Sequence, residues 1–302
     1  MSRMGSACNC NGVASEGAAS HASRASDARM PSATKRASSN PAKSPTSYDK
    51  TAAILLGWGF DYCDTGVEPE VRFQCISALN RRTLTHSQLT SLAKVLREEY
   101  NFVVESHLMH TRTAPQKQAF KHLSNFVDAH DNPQTLLIVY YAGHGYQSLT
   151  QPGHLALSGK PIYDESAMIA ASIEWHEVER TLVATTSDVL VIFDCCRAGL
   201  LCRSAQEGLE NNDRIFQCLG ACESEQRTRS SGKQSFTTAM TWALEELAKE
   251  PSFPVTKLVK KIEAHAGFPH NDQRPVLFSG RFAPASANIH LARMPSLVPN
   301  GH

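Results

Sequence analysis

From Tyr48 onward two rhythms of apolar residues alternate along the chain. In the first, four or more apolar residues follow one another without a polar alternate: AAILLGW (52 to 58), TLLIVYY (135 to 141) and VLVIF (189 to 193). Runs of this kind suit strands covered on both faces. In the second, apolar residues recur at three and four positions. SQLTSLAKVLREEY (87 to 100) puts Leu89, Leu92, Ala93 and Leu96 on one face, and PQKQAFKHLSNFVDAH (115 to 130), opened by Pro115, does the same with Phe120, Leu123, Phe126 and Val127. Both predict helices. NFVVESHL (101 to 108) reads as the strand between them, and a long polar loop after the 135–141 strand leads to a helix over IEWHEVERTLVA (173 to 184). After the 189–193 strand come a polar segment, LLCRSAQEGLENNDR (200 to 214), and a fifth strand, IFQCLGAC (215 to 222). Helices follow over 235 to 249 and 255 to 267, the latter with Gly267 at its C-cap, and PVLFSGRF (275 to 282) reads as a final edge strand. The expected class is α/β: three layers, with a mostly parallel six-stranded sheet between helices.

Before Tyr48 the pattern vanishes, for that stretch holds no Ile, Leu, Phe, Trp or Tyr. It is rich in Ser and Ala, and its Arg and Lys outnumber Glu16 and Asp27. Such a segment buries too little to fold, so residues 1–48 read as a disordered tail. A basic, acid-poor leader is also the composition of a mitochondrial transit peptide, but the apolar face of a targeting helix is missing. The expected organisation is one domain over 49–284, divided by the polar linker 200–214, with a C-terminal tail over 285–302. No apolar run approaches the ~20 residues of a membrane span, and no secretory signal core is present. The expected compartment is therefore the cytoplasm, with mitochondrion and nucleus left open.

Charge and cysteine content narrow the chemistry. A net charge of +1 over 302 residues supplies no field for nucleic acid or an anionic membrane, so neither is expected as a partner. Nine cysteines in a chain without an export signal point to reduced thiols. Neither Cys8 with Cys10 nor Cys218 with Cys222 has a partner pair at zinc-site spacing, so no metal site is expected.

Reactive groups in an open parallel sheet gather beyond the carboxyl ends of the strands. The third strand ends in AGHG (142 to 145) and the fourth in DCCRAG (194 to 199). If the two strands are neighbours, His144 and the cysteines leave the same edge. A thiol needs an imidazole to take its proton and return it to a leaving amine, and Cys196 and His144 fit those roles. A glycine beside the reacting carbonyl lets a backbone N–H approach the oxyanion, which makes the Gly145 and Cys196 N–H groups the candidate donors.

These two motifs carry a resemblance. YYAGHG (140 to 145) and DCCRAG resemble the histidine and nucleophile motifs of the caspase-like cysteine peptidases of family C14, and more closely those of metacaspases and fungal caspase-domain proteins. The 52-residue spacing of His144 and Cys196 agrees with the family, and element order matches from about Ala52 to Phe282. The resemblance implies a caspase-like fold and a cysteine endopeptidase acting on protein or peptide substrates, with apoptosis among the family's associations. It places the nucleophile two residues after the aspartate, on Cys196, and leaves Cys195 as a packing residue. It makes Asp194 the S1 carboxylate, selecting Arg or Lys at P1, because a carboxylate there pairs with a cation and repels an acid. Asp61 and Asp64 in the loop after the first strand, which has no arginine, agree with that choice. The resemblance also implies maturation by cleavage in the 200–214 linker, with Arg203 and Arg214 as candidate sites. No cofactor is required. Calcium activation follows from the family alone, and no ligand cluster is legible.

Arg197, beside the nucleophile, reads either as a charge tuning the thiolate or as a solvated loop residue. Departures from the family are the missing prodomain features before Tyr48 and the absent QAC motif. The alternative of another class is a catalytically silent signalling or adaptor module on the same fold. A nucleotide-binding reading of GWG at 57–59 lacks GxGxxG and GxxxxGK followed by Ser or Thr, and a serine hydrolase would need a GxSxG elbow, which does not occur. Oligomeric state and physiological substrate are not legible.

Overall fold

Each long apolar run forms a strand with two buried faces. The computed structural model describes residues 47–59, 87–110, 114–159, 172–201, 214–229, 232–269, 271–279 and 288–295. Strands β1 (Lys50–Trp58), β2 (Val103–Met109), β3 (Thr135–Ala142), β7 (Asp188–Asp194), β8 (Phe216–Gly220) and β10 (Val276–Ser279) make one six-stranded sheet, ordered β10-β8-β7-β3-β1-β2. All neighbours are parallel except β10, which runs antiparallel to β8 at the edge.

Successive residues of a strand point to opposite faces, so two cores result. Leu55, Ile138, Tyr140 and Ile192 pack on one face with a helix over residues 87–98 (α1), α4 (Phe236–Leu247) and α5 (Val255–Glu263). Ile54, Leu56, Val139, Val191 and Phe193 pack on the other with α2 (Pro115–His130) and α3 (Trp175–Val183). This is the three-layer arrangement the apolar runs predict. Helix α1 hands over to β2 through Asn101, whose φ of 55° turns the chain and whose N–H donates to the Arg97 carbonyl. Asparagine tolerates that left-handed conformation at a helix end.

Differences lie in the short elements. The loop after β3 contains an antiparallel three-stranded sheet, β4 (His144–Gln147), β5 (Leu155–Ser158) and β6 (Ser172–Glu174). Two further strands of three residues, β9 (Ser252–Pro254) and β11 (His290–Ala292), pair with each other. Ile289, Leu291 and Met294 are buried in the α4 and α5 core, so part of the expected C-terminal tail belongs to the domain. Tyr48 likewise is buried and donates to Asp188 at 2.8 Å. Gly267 does not cap α5. That helix ends at Glu263, and Ala264 closes it in the ordinary right-handed region with its N–H on the Lys260 and Ile262 carbonyls. The N-terminal tail to residue 46, the loop carrying Asp61 and Asp64, and residues 202–213 of the linker with Arg203 lie outside the described residues. No helix among the described residues is long and apolar enough to cross a membrane.

Candidate active site

The register of β3 against β7 brings the two motifs together. Ala142 lies opposite Asp194, and one step further the Gly143 N–H donates to the Asp194 carbonyl at 3.2 Å. Beyond that point the chain bearing His144 enters β4, which pairs His144 with Ser158 and Gly145 with Leu157. Gly145 lies directly against the turn that bears Cys195 and Cys196: a Cβ built on it would overlap the Cys196 carbonyl oxygen and sit 2.8 Å from Cys195 Sγ. Only glycine permits that approach.

The backbone of the histidine motif is held by two aromatic residues. Trp58 Nε1 donates to Tyr141 Oη at 2.9 Å, and Tyr141 Oη donates to the His144 carbonyl at 2.9 Å, with the Ser158 carbonyl at 3.2 Å. The close packing of Gly143 and Gly159 on the Trp58 and Tyr141 side chains leaves no room for a Cβ at either position. The His144 ring lies 6.3 Å from that of Tyr146, nearly parallel to it.

Burial separates the adjacent cysteines. Cys195 is 0% exposed and packs with Phe193, Cys222 and Leu200, and burial pushes its thiol well above the ordinary range. Cys222, also buried, is pushed up to about 12 by the same cause, and its Sγ donates toward the Cys195 and Gln226 carbonyls, each at 3.4 Å. Cys196 is half-buried, with its Sγ 3.9 Å from Thr228 Oγ1. Among the described residues its N–H makes no hydrogen bond with a backbone or side-chain acceptor. Arg197 follows in the left-handed region at φ 59°, donates its N–H to the Gln226 carbonyl at 3.1 Å, and pairs with Glu225 at 3.5 Å. A single 3-10 turn, Ala198–Leu200, then carries the chain away from the site.

Asp194 points to the opposite face of the sheet from Cys195. Its Oδ2 accepts from the Thr237 N–H at 3.1 Å and from Thr237 Oγ1 at 2.5 Å, and Tyr140 Oη lies 2.5 Å beyond, on that same Oγ1. Burial raises its pKa to about 6, and the two bonds from Thr237 work against that rise. Among the described residues Oδ1 receives no hydrogen bond.

Arg214 stands just before β8, at the opposite end of the parallel strands from Cys196. Its side chain is 9% exposed and lies over the Phe216 ring, with its guanidinium donating to the Val183 carbonyl at 2.8 Å, Thr185 Oγ1 at 3.0 Å and the Ser187 carbonyl at 3.4 Å. To enter a specificity pocket it would have to give up all three.

Sequence reasoning did not find Thr228, Thr237 or the Trp58 and Tyr141 pair. Each reaches the site across 32 to 83 residues of chain, and no local pattern marks it. Among the described residues no three His, Cys, Asp or Glu side chains converge to hold a metal ion.

Many solved structures are similar to the chain, two of them as follows. Protein GSU0716 from Geobacter sulfurreducens has a TM-score of 0.49 and 15% identity, covering 82% of this chain and 98% of its own. Caspase-1 from Spodoptera frugiperda has a TM-score of 0.46 and 16% identity, covering 83% of this chain and 95% of its own. No curated protein matches the sequence. The caspase domain family model of peptidase C14 matches residues 71–282, most of the chain. With that match, spanning both motif strands, the chain belongs to the caspase domain family.

Proposed function

We propose that the protein is a cysteine endopeptidase that cuts after Arg or Lys. The observation that carries this reading is the close approach of Gly145 to the Cys196 carbonyl at the end of two adjacent parallel strands, with Cys196 half-exposed and Cys195 buried.

In the proposed reaction His144 takes the Cys196 proton, and the thiolate attacks the carbonyl carbon of the scissile bond. The oxyanion forms against the Gly145 and Cys196 N–H groups. His144 then gives its proton to the departing amine as the C–N bond breaks, leaving an acyl-thioester on Cys196. Water, deprotonated by His144, attacks the thioester, and the thiol leaves with that proton as the acid product is released. Asp194, whose Oδ1 receives no hydrogen bond among the described residues and on which no cation among the described groups acts, supplies the negative charge that receives a basic P1 side chain. Maturation within the 200–214 linker is assigned to Arg203 in preference to Arg214, whose side chain is already committed inside the fold.

The test is hydrolysis of paired fluorogenic peptides with Arg or Asp at P1 by wild type, Cys196→Ala and Cys195→Ala, with and without calcium. The expected result is Arg-peptide cleavage that Cys196→Ala abolishes and Cys195→Ala retains. Preference for the Asp peptide would overturn the P1 assignment while sparing the catalytic pair. No turnover of either peptide would favour a silent adaptor on the same fold.

A further inference from the structure

Thr237 lies 43 residues from Asp194 in sequence, at the second position of α4, yet among the described residues it makes both hydrogen bonds to that carboxylate. One is a backbone N–H of the first helical turn, a donor that no intrahelical carbonyl can use. Ser235 caps the helix by accepting from the Thr238 N–H, so the Thr237 N–H is free to serve the carboxylate. The other is the hydroxyl. Its single proton goes to Asp194 Oδ2 when the carboxylate is ionised, so Tyr140 must then donate to Thr237 Oγ1. The polarity of the relay is fixed: Tyr140 to Thr237 to Asp194. All three residues are buried, where charge-assisted bonds are strong and an unmatched charge is costly.

Resting on the reading of Asp194 as the S1 carboxylate, we infer that Thr237 is a positioning residue for P1 specificity: with Tyr140 behind it, it keeps Asp194 ionised and turned so that Oδ1 faces the substrate cation. The ionisable groups acting on Asp194 agree. Tyr140 comes from β3, while Cys195 and Cys222 act from the other side of the sheet, and none of these is a cation. From α4, Thr237 alone acts on it. Hydrogen bonds from Thr237 therefore do the work that a lysine or arginine would do elsewhere, without placing a positive charge where the P1 cation must bind.

The experiment measures kcat and KM for the Arg peptide from pH 5 to 8 in wild type, Thr237→Val, Thr237→Ser, Tyr140→Phe and Asp194→Asn. Losing the hydroxyl should move the acid limb of kcat/KM upward by about one pH unit. It should raise KM at pH 6.5 several-fold and leave kcat within about twofold, as expected when only binding is lost. Thr237→Ser should restore the wild-type profile, and Tyr140→Phe should give a smaller shift in the same direction. An acid limb that disappears in Asp194→Asn but stays in place in both Thr237→Val and Tyr140→Phe would overturn the inference and leave the pocket reading intact. Arg-peptide cleavage indifferent to Asp194→Asn would overturn the pocket reading, and the inference with it.

Discussion

At the scale of single residues, the two positions most exposed to test are Gly145 and Asp194. An alanine at 145 would push its methyl group into the Cys196 carbonyl, backbone that cannot rotate away. Gly145→Ala should lose about 1 to 3 kcal/mol of stability, the ordinary cost of overpacking, and more than tenfold in peptide hydrolysis. Urea denaturation and peptide assays measure both. Asp194 titrates near 6 in the fold because it is buried, whereas an unfolded aspartate titrates at about 3.9. The native state therefore holds the proton more tightly. The stability this lends is complete below pH ~4 and is lost as pH rises through 6, an effect on the order of 3 kcal/mol. Asp194→Asn should abolish that slope, making the variant more stable than wild type at pH 8 and no better at pH 4. Denaturation midpoints at the two pH values decide it. The motif alone makes Cys195 a buried packing residue, and in the fold Cys195 is buried while Cys196 is half-buried. The partners of Asp194 were not legible, since a threonine at the start of a distant helix carries no local signature of its target.

At the scale of elements, legibility followed length and burial. The long runs forming β1, β3 and β7 could only be strands covered twice, and α2 begins and ends where its pattern does. Strand β4, with four residues, reads as polar loop because HGYQ is too short to show alternation, and Ile173 and Glu174 of the three-residue β6 read as the start of the helix that follows. Their strand character comes from pairing with β5, a tertiary effect. Gly267 misled because a glycine near a helix end is a common stop, yet here α5 closes without a left-handed residue. Arg214 belongs to this scale too, since it ties the start of β8 to the end of α3. Arg214→Met should leave the Val183 and Ser187 carbonyls and the Thr185 hydroxyl without their donor, costing about 2 to 4 kcal/mol. It should change KM for the Arg peptide less than twofold. A thermal melt beside a kinetic assay separates the two.

At the scale of the whole molecule, strand β7, which leads to Cys196, and the strand after the linker, β8, are neighbours paired from Val189 with Phe216 to Phe193 with Gly220. The linker thus joins two pieces that the sheet already holds side by side. Its thermodynamic part is to raise the local concentration of one piece near the other, and the pairing itself makes no use of it. Severing it should turn an intramolecular fold into a tight complex of two chains, much as split proteins reassemble from complementary fragments. An unrelated protease's recognition sequence, inserted within 203–213 and cut in trans, tests this: two bands on a denaturing gel but one peak on a sizing column. Two peaks would mean that the peptide bond, rather than the sheet, holds the halves together.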